Sequence, residues 1–228
     1  MKKSLWVAIA GALAISVVAA SAQEVLSANT IGYIKKELPA GGKLITVSVP
    51  LFNMTAPNNV FSNLSIAAEV PVGSSASFWD ANDQRWVGGA KGKTWAANVA
   101  TQIVDAGEFF FIKGPSTSTV PTEITIAGEV PDLSTISRAI VGSSNLTSMA
   151  NPYPADFIFG TSSLASNATT GSSVSFWDAN DQRWVGGAKG KSWAANVVTQ
   201  KVTATAGFFF KEAGTLGAWT NAKPYTWP

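Results

Sequence analysis

Two identical loops carry most of the side chains able to do chemistry. Asp80-Ala81-Asn82-Asp83-Gln84 lies between Trp79 and Trp86, and the same residues return as Asp178 to Gln182 between Trp177 and Trp184. A third tryptophan follows each loop, Trp95 in one copy and Trp193 in the other. Indole faces beside carboxylates and amides are the chemistry of sugar recognition, in which the ring stacks and the polar groups bind hydroxyls. On that reading the binding set is Trp79, Asp80, Asn82, Asp83, Trp86 and Trp95, with Trp177, Asp178, Asn180, Asp181, Trp184 and Trp193 in the second copy. The competing reading gives the tryptophans to a hydrophobic core or to an interface between repeats or subunits.

Other chemistries fit less well. The loop does not match a calcium-loop template, because Arg85 stands where the turn glycine belongs and Lys91 where the bidentate acid belongs. Asp80 and Asp83 form a close acid pair, but both fall at an expected turn tip beside Arg85. A glycosidase acid needs a dry pocket and a raised pKa. Gly88-Gly89-Ala90-Lys91-Gly92-Lys93 lacks the spacing and following helix of a phosphate loop. It reads as a flexible connection with two solvated lysines. The chain has no His and no Cys. The usual general base, the commonest zinc ligand and disulfides are therefore all missing. We expect no enzyme activity, no cofactor and no metal.

The elements that hold these loops read as β-structure. Leu44–Val49, Glu123–Ala127 and Val197–Val202 are short and β-branched, and Gly, Pro, Ser and Asn punctuate them. The simplest hairpin register sets Asp80 against Arg85 as an ion pair, Trp79 against Trp86, and Phe78 against Val87. Alternation then sends the two tryptophans to one face and Phe78 with Val87 to the other. Such a hairpin, apolar on both sides, needs cover on both.

The hairpin belongs to a duplication. Residues 73–102 and 171–200 differ only at Ala76/Val174, Thr94/Ser192 and Ala100/Val198. Val60-Phe61 matches Ile158-Phe159, Ile66-Ala67 matches Leu164-Ala165, and Pro50-Leu51 faces Pro152-Tyr153. The run Phe109-Phe110-Phe111 matches Phe208-Phe209-Phe210 if one residue is inserted. The expected fold is all-β, two tandem sandwich- or barrel-like repeats over 23–128 and 141–228 joined by a linker at 129–140.

A leader precedes them. Lys2 and Lys3, the apolar run Leu5–Ala20 and the Ala20-Ser21-Ala22 motif predict a cleavable signal peptide over residues 1–22. The mature chain is then expected to be secreted, at the cell surface, outside the cell or in a bacterial periplasm, with no membrane span. Cleavage removes two of the 16 basic residues and none of the 14 acidic ones, so the mature chain is formally neutral. It lacks the basic footprint of a nucleic-acid binder, and little repulsion opposes self-association. Four Asn-x-Ser/Thr sequons begin at Asn53, Asn63, Asn145 and Asn167, as chance allows in such a composition.

Several short motifs resemble a known group. They are Ala28-Asn29-Thr30-Ile31-Gly32-Tyr33, Leu38-Pro39-Ala40-Gly41-Gly42, the Phe78-Trp79-Asp80 hairpin, Gly107-Glu108-Phe109-Phe110-Phe111 and Gly128-Glu129-Val130-Pro131. Together they resemble secreted β-repeat proteins of Planctomycetes–Verrucomicrobia-type bacteria. The second copy departs from the pattern, with Ala206-Gly207-Phe208 for Gly-Glu-Phe. The resemblance implies export and a β-rich repeat, and no activity. The functional expectation is a non-catalytic structural or adhesive protein of the cell exterior that associates with itself or with other surface components. The alternative is a carbohydrate-binding module with one Trp-lined site per repeat.

Overall fold

The computed structural model describes residues 30–51, 59–142 and 145–226. The expected signal peptide, the Asn53 sequon and Trp227 lie outside them. Strands dominate and every pairing is antiparallel. The first half runs β1 (Ile31–Leu38), β2 (Leu44–Ser48), α1 (Ser65–Glu69), β3 (Ser75–Asp80), β4 (Arg85–Ala90), α2 (Ala97–Ala100), β5 (Phe109–Lys113) and β6 (Thr122–Glu129). The second runs β7 (Thr135–Ala139), β8 (Leu146–Ala150), β9 (Phe157–Ile158), α3 (Ser163–Asn167), β10 (Ser173–Asp178), β11 (Arg183–Ala188), α4 (Ala195–Val198), β12 (Lys201–Val202), β13 (Gly207–Lys211) and β14 (Ala218–Ala222). Among the described residues no helix is long and apolar enough to cross a membrane.

Each half holds a four-stranded sheet of the same order, β2-β5-β3-β4 and β8-β13-β10-β11. A two-stranded ribbon accompanies each, β1-β6 and β14-β7. β7 thus lies within the stretch read as a linker and pairs with the last strand.

Alternation along β3 sends Ala76 and Phe78 to one face, where they join Phe61, Phe110 and Ile112 in a core closed by Ile124 and Ile126 of β6. Val174 and Phe176 enter an equivalent core with Phe159, Phe208, Phe210 and Trp219. Phe78 stacks on Phe110 at 4.9 Å between ring centres, and Phe61 meets both edge-on. The matched pairs extend outward: Leu51 and Tyr153, aligned through their prolines, are both fully buried.

Edges are covered by polar side chains. On α1, Ser65 Oγ donates to Thr125 O at 2.8 Å and accepts from Ala127 N, while Glu69 accepts from Thr125 N. These contacts occupy the outer edge of β6, which is otherwise a template for pairing with another chain. On α2, Asn98 Nδ2 donates to Gly88 O of β4 at 2.9 Å.

Three local expectations are corrected. Gly88 to Ala90 form part of β4 rather than a loop. The glycines are there because the strand is crowded: a Cβ on Gly89 would lie 2.8 Å from that of Ala96. Val197 and Val198 are helical, not extended. One turn of helix drops Val197 into the second core, where it is wholly buried, and that packing overrides the β preference of valine. The sheet registers align Phe110 with Phe208, since these face Phe78 and Phe176. No residue is inserted, the offset of the repeated block continues, and Phe109 corresponds to Gly207.

Candidate functional site

The outward faces of the two sheets meet. On the first, Trp79, Trp86, Phe109 and Phe111 stand on one side of β3, β4 and β5, and the expected register holds, with Trp79 opposite Trp86 and Phe78 opposite Val87. On the second stand Trp177, Trp184 and Phe209. A separate apolar cluster joins Phe109, Phe111, Ala150 and Phe209 with Leu44, Trp79, Leu146 and Trp177. Trp79 packs edge-on against Phe209 and Trp177 against Phe111, each at 5.1 Å between ring centres. The second face of each hairpin is therefore covered by the other half of the same chain.

Many of the bonds across this seam come in related pairs. Trp79 Nε1 donates to Leu146 O at 2.9 Å, and Trp177 Nε1 to Leu44 O at 3.0 Å. Gln84 Nε2 donates to Leu146 O and its Oε1 accepts from Leu146 N; Gln182 does the same to Leu44. Ser48 N donates to Thr205 O and Ala150 N to Gly107 O. In these bonds each partner in one half has its counterpart in the other, so the halves relate by an approximate two-fold. Each glutamine amide saturates the backbone of one residue on an edge strand of the opposite sheet. Both sit at φ +52°, a left-handed conformation that costs a non-glycine residue about 1–2 kcal/mol. At this position the side chain, not the backbone preference, accounts for the residue.

A two-fold brings equivalent residues together, and Phe109 meets Gly207. A Cβ on Gly207 would lie 2.1 Å from Phe109 Cβ. Two phenylalanines cannot share that place, so the seam departs from symmetry: one copy carries the ring and the other carries no side chain.

The loop carboxylates serve the turn. Asp80 Oδ1 accepts from Asn82 N and Asp83 N at 3.0 Å, and Asp178 does likewise for Asn180 and Asp181. The expected Asp80–Arg85 ion pair is replaced by Asp83–Arg85 at 3.0 Å, because the turn amides hold Asp80. Lys91 is not solvated. Its Nζ donates to Ala67 O, Ala68 O and Val70 O at 2.7–2.8 Å, collecting carbonyls at the end of α1. Desolvation there lowers its pKa. Lys189 Nζ likewise donates to Ala165 O, Ser166 O and Ala168 O at the end of α3.

Charged groups flank the seam. Lys36 of β1 donates to Thr205 O and Thr205 Oγ1, each at 3.1 Å, and has no carboxylate partner among the described residues. Burial pushes its pKa down to about 8. Arg138 of β7 contacts Glu108 and Asp105 at 3.4 Å. Burial raises the Glu108 pKa, with Arg138 opposing the shift.

Of the expected binding residues, the structure brings Trp79, Trp86, Trp177 and Trp184 together. Trp95 and Trp193 lie elsewhere, against Phe61 and Phe159 of the separate cores, donating to Ala67 O and Ala165 O. Asn82, Asp83, Asn180 and Asp181 are exposed at the hairpin tips. What remains at the seam is a cleft of about 460 Å³ lined by Leu44, Ser77, Trp86, Phe111, Trp177 and Trp184. Trp86 is 40% exposed and Trp184 37%. Sequence reasoning missed Ser77, Leu44 and Phe111 as its lining. Period-two alternation places Ser77 on the same face as Trp79 and was the available signal. Comparison with known protein families, with curated proteins and with solved structures finds no match to this chain.

Proposed function

We propose that this is a secreted, non-catalytic adhesive protein of the cell exterior that attaches through the aromatic cleft at its seam. The observation that carries this reading is the division among the seven tryptophans of the described residues. Trp79, Trp95, Trp177, Trp193 and Trp219 each donate their indole N–H within the fold. Trp86 and Trp184 do not, and they are the ones more than a third exposed. A buried indole finds a hydrogen-bond partner, and one left half-wet with a free donor suits a ligand. Polysaccharide is the adhesive partner that such groups fit.

The non-catalytic part rests on the missing His and Cys and on the loop carboxylates, which are occupied by turn amides and arginines. The export part rests on residues 1–22. Expression with the leader in a Gram-negative host is expected to yield, outside the inner membrane, a chain whose mass lacks those residues. Purified chain is then expected to co-sediment with an insoluble polysaccharide such as cellulose or chitin. Retention of Met1 in the cytoplasm would refute the export claim, and failure to sediment with either polymer would refute adhesion by this route.

A self-assembling structural role is the second reading. Ile31 and Tyr33 favour it, 49% and 71% exposed along the outer face of β1. Concentration-dependent growth in sedimentation velocity, lost on Tyr33→Ser, is its expected sign.

A further inference from the structure

We propose that the cleft is one composite site, built by both halves, for a neutral β-1,4-linked pyranose chain. This rests on the adhesive reading and departs from a separate site in each repeat. The walls come from different halves: Trp86 and Ser77 from the first hairpin, Trp177 and Trp184 from the second, with Phe111 and Leu44 completing the lining. The site exists only where the two sheets are docked, and the docking is fixed by the Gln84 and Gln182 clamps.

The chemistry of the lining selects the ligand. None of its six residues is charged, which favours an uncharged ligand over a phosphate, a uronic acid or a peptide terminus. Trp86 and Trp184 both face the cleft and both approach Phe111 and Phe209, at 5.0–5.8 Å between ring centres. Aromatic walls on two sides suit a ring with two apolar faces. A β-1,4-linked pyranose of gluco or xylo configuration has its hydroxyls equatorial and presents C–H on both faces, whereas an axial hydroxyl or a kinked α-linkage would spoil one of them. Its hydroxyls need partners at the rim. The indole N–H groups of Trp86 and Trp184 and the Ser77 hydroxyl are the polar side-chain groups of the lining with no hydrogen bond in the fold, since Trp177 Nε1 is engaged with Leu44 O. A cleft of about 460 Å³ falls within the range of small-ligand pockets. Gly88 keeps it open. A Cβ there would come within 2.7 Å of Ser77 Oγ.

The test is isothermal titration of the purified chain with cellohexaose, xylohexaose and chitohexaose, with hexagalacturonate as the charged control. The expected result is one site per chain for at least one neutral oligosaccharide and none for the control. Trp86→Ala and Trp184→Ala are each expected to weaken binding by about tenfold or more, since each loses a full stacking wall. Ser77→Val replaces a free hydroxyl of the lining with a methyl and adds a second one without removing a ring, and is expected to weaken binding by about tenfold with the melting temperature unchanged. It keeps the test decisive if a tryptophan variant fails to fold. Two sites per chain, each lost with only one tryptophan, would overturn the composite site and leave carbohydrate adhesion standing. No binding of any neutral hexasaccharide up to about 5 mM would overturn both. A dimer in sedimentation that protects Trp86 from quenching would give the cleft to a second copy and overturn the proposal.

Discussion

Replacing Gln84 by glycine separates a clamp from a turn by the size of its effect. In wild type the residue is held at φ +52°, and its amide makes two hydrogen bonds to the Leu146 backbone across the seam. Glycine relieves about 1–2 kcal/mol of left-handed strain. Its greater freedom in the unfolded chain returns about 0.4–1 kcal/mol of that. If the residue were only part of the turn, Gln84→Gly would also lose the bond from its amide to Ala81 O, about 0.5–1.5 kcal/mol, and would leave stability about level. The clamp adds the loss of two bonds at about 0.5–1.5 kcal/mol each. It also strands the Leu146 N–H, although Leu146 O keeps its bond from Trp79. The net expectation is a loss of about 1–2 kcal/mol for the single variant. Gln84→Ala, which keeps the strain and loses the bonds, should be worse. The double variant Gln84→Gly/Gln182→Gly should lose roughly twice as much. For a chain of this size about 1 kcal/mol moves the melting temperature by about 2–4 °C, within reach of scanning calorimetry or urea titration. A double variant that melts at or above wild type would refute the clamp.

Three further outcomes are expected. At neutral pH Lys36→Met should stabilise the protein by about 1–3 kcal/mol, because the folded chain carries a desolvated ammonium there. The folded pKa is lowered to about 8 from 10.5, so the unfolded chain binds more protons between those values and wild-type stability should rise with pH through that window; an advantage of Lys36→Met in urea melts that did not shrink from pH 7 to 10 would contradict this. Gly207→Phe should disrupt the seam, and Phe109→Gly combined with it should restore much of the loss, as the two positions are equivalent; a double variant no more stable than Gly207→Phe alone would count against the alignment. Lys91→Met should cost about 1–3 kcal/mol through three carbonyls left without their cation, while Lys93→Met should be nearly silent; equal effects on chemical denaturation would mean that Lys91 does not cap α1.

The fold class, the hairpin and its faces were determined by the sequence alone. Their determinants are local. Asp80-Ala-Asn-Asp makes its own turn, β-branched and aromatic residues extend the flanking strands, and a period of two fixes that Phe78 and Trp79 point opposite ways. The need for cover on the tryptophan face also followed, but not what would supply it. That was decided by tertiary structure, because the cover is the other half of the chain, 67 residues away for Trp79 against Leu146 and 133 for Trp177 against Leu44. Separation along the chain hid the rest, even where it is shorter. Gln84 reads as a turn residue until Leu146 lies beside it, and Lys91 as a solvated lysine until the end of α1 does. The Phe-Phe-Phe run was aligned by likeness of side chains, whereas the backbone pairs by register and set Phe109 opposite a glycine for want of space. The candidate site was half legible for the same reason. Its tryptophans stood out by type, but indole chemistry does not distinguish Trp79 from Trp86. The difference is that Trp79 finds a carbonyl across the seam while Trp86 finds a cleft, and only the docking of the two sheets places those partners.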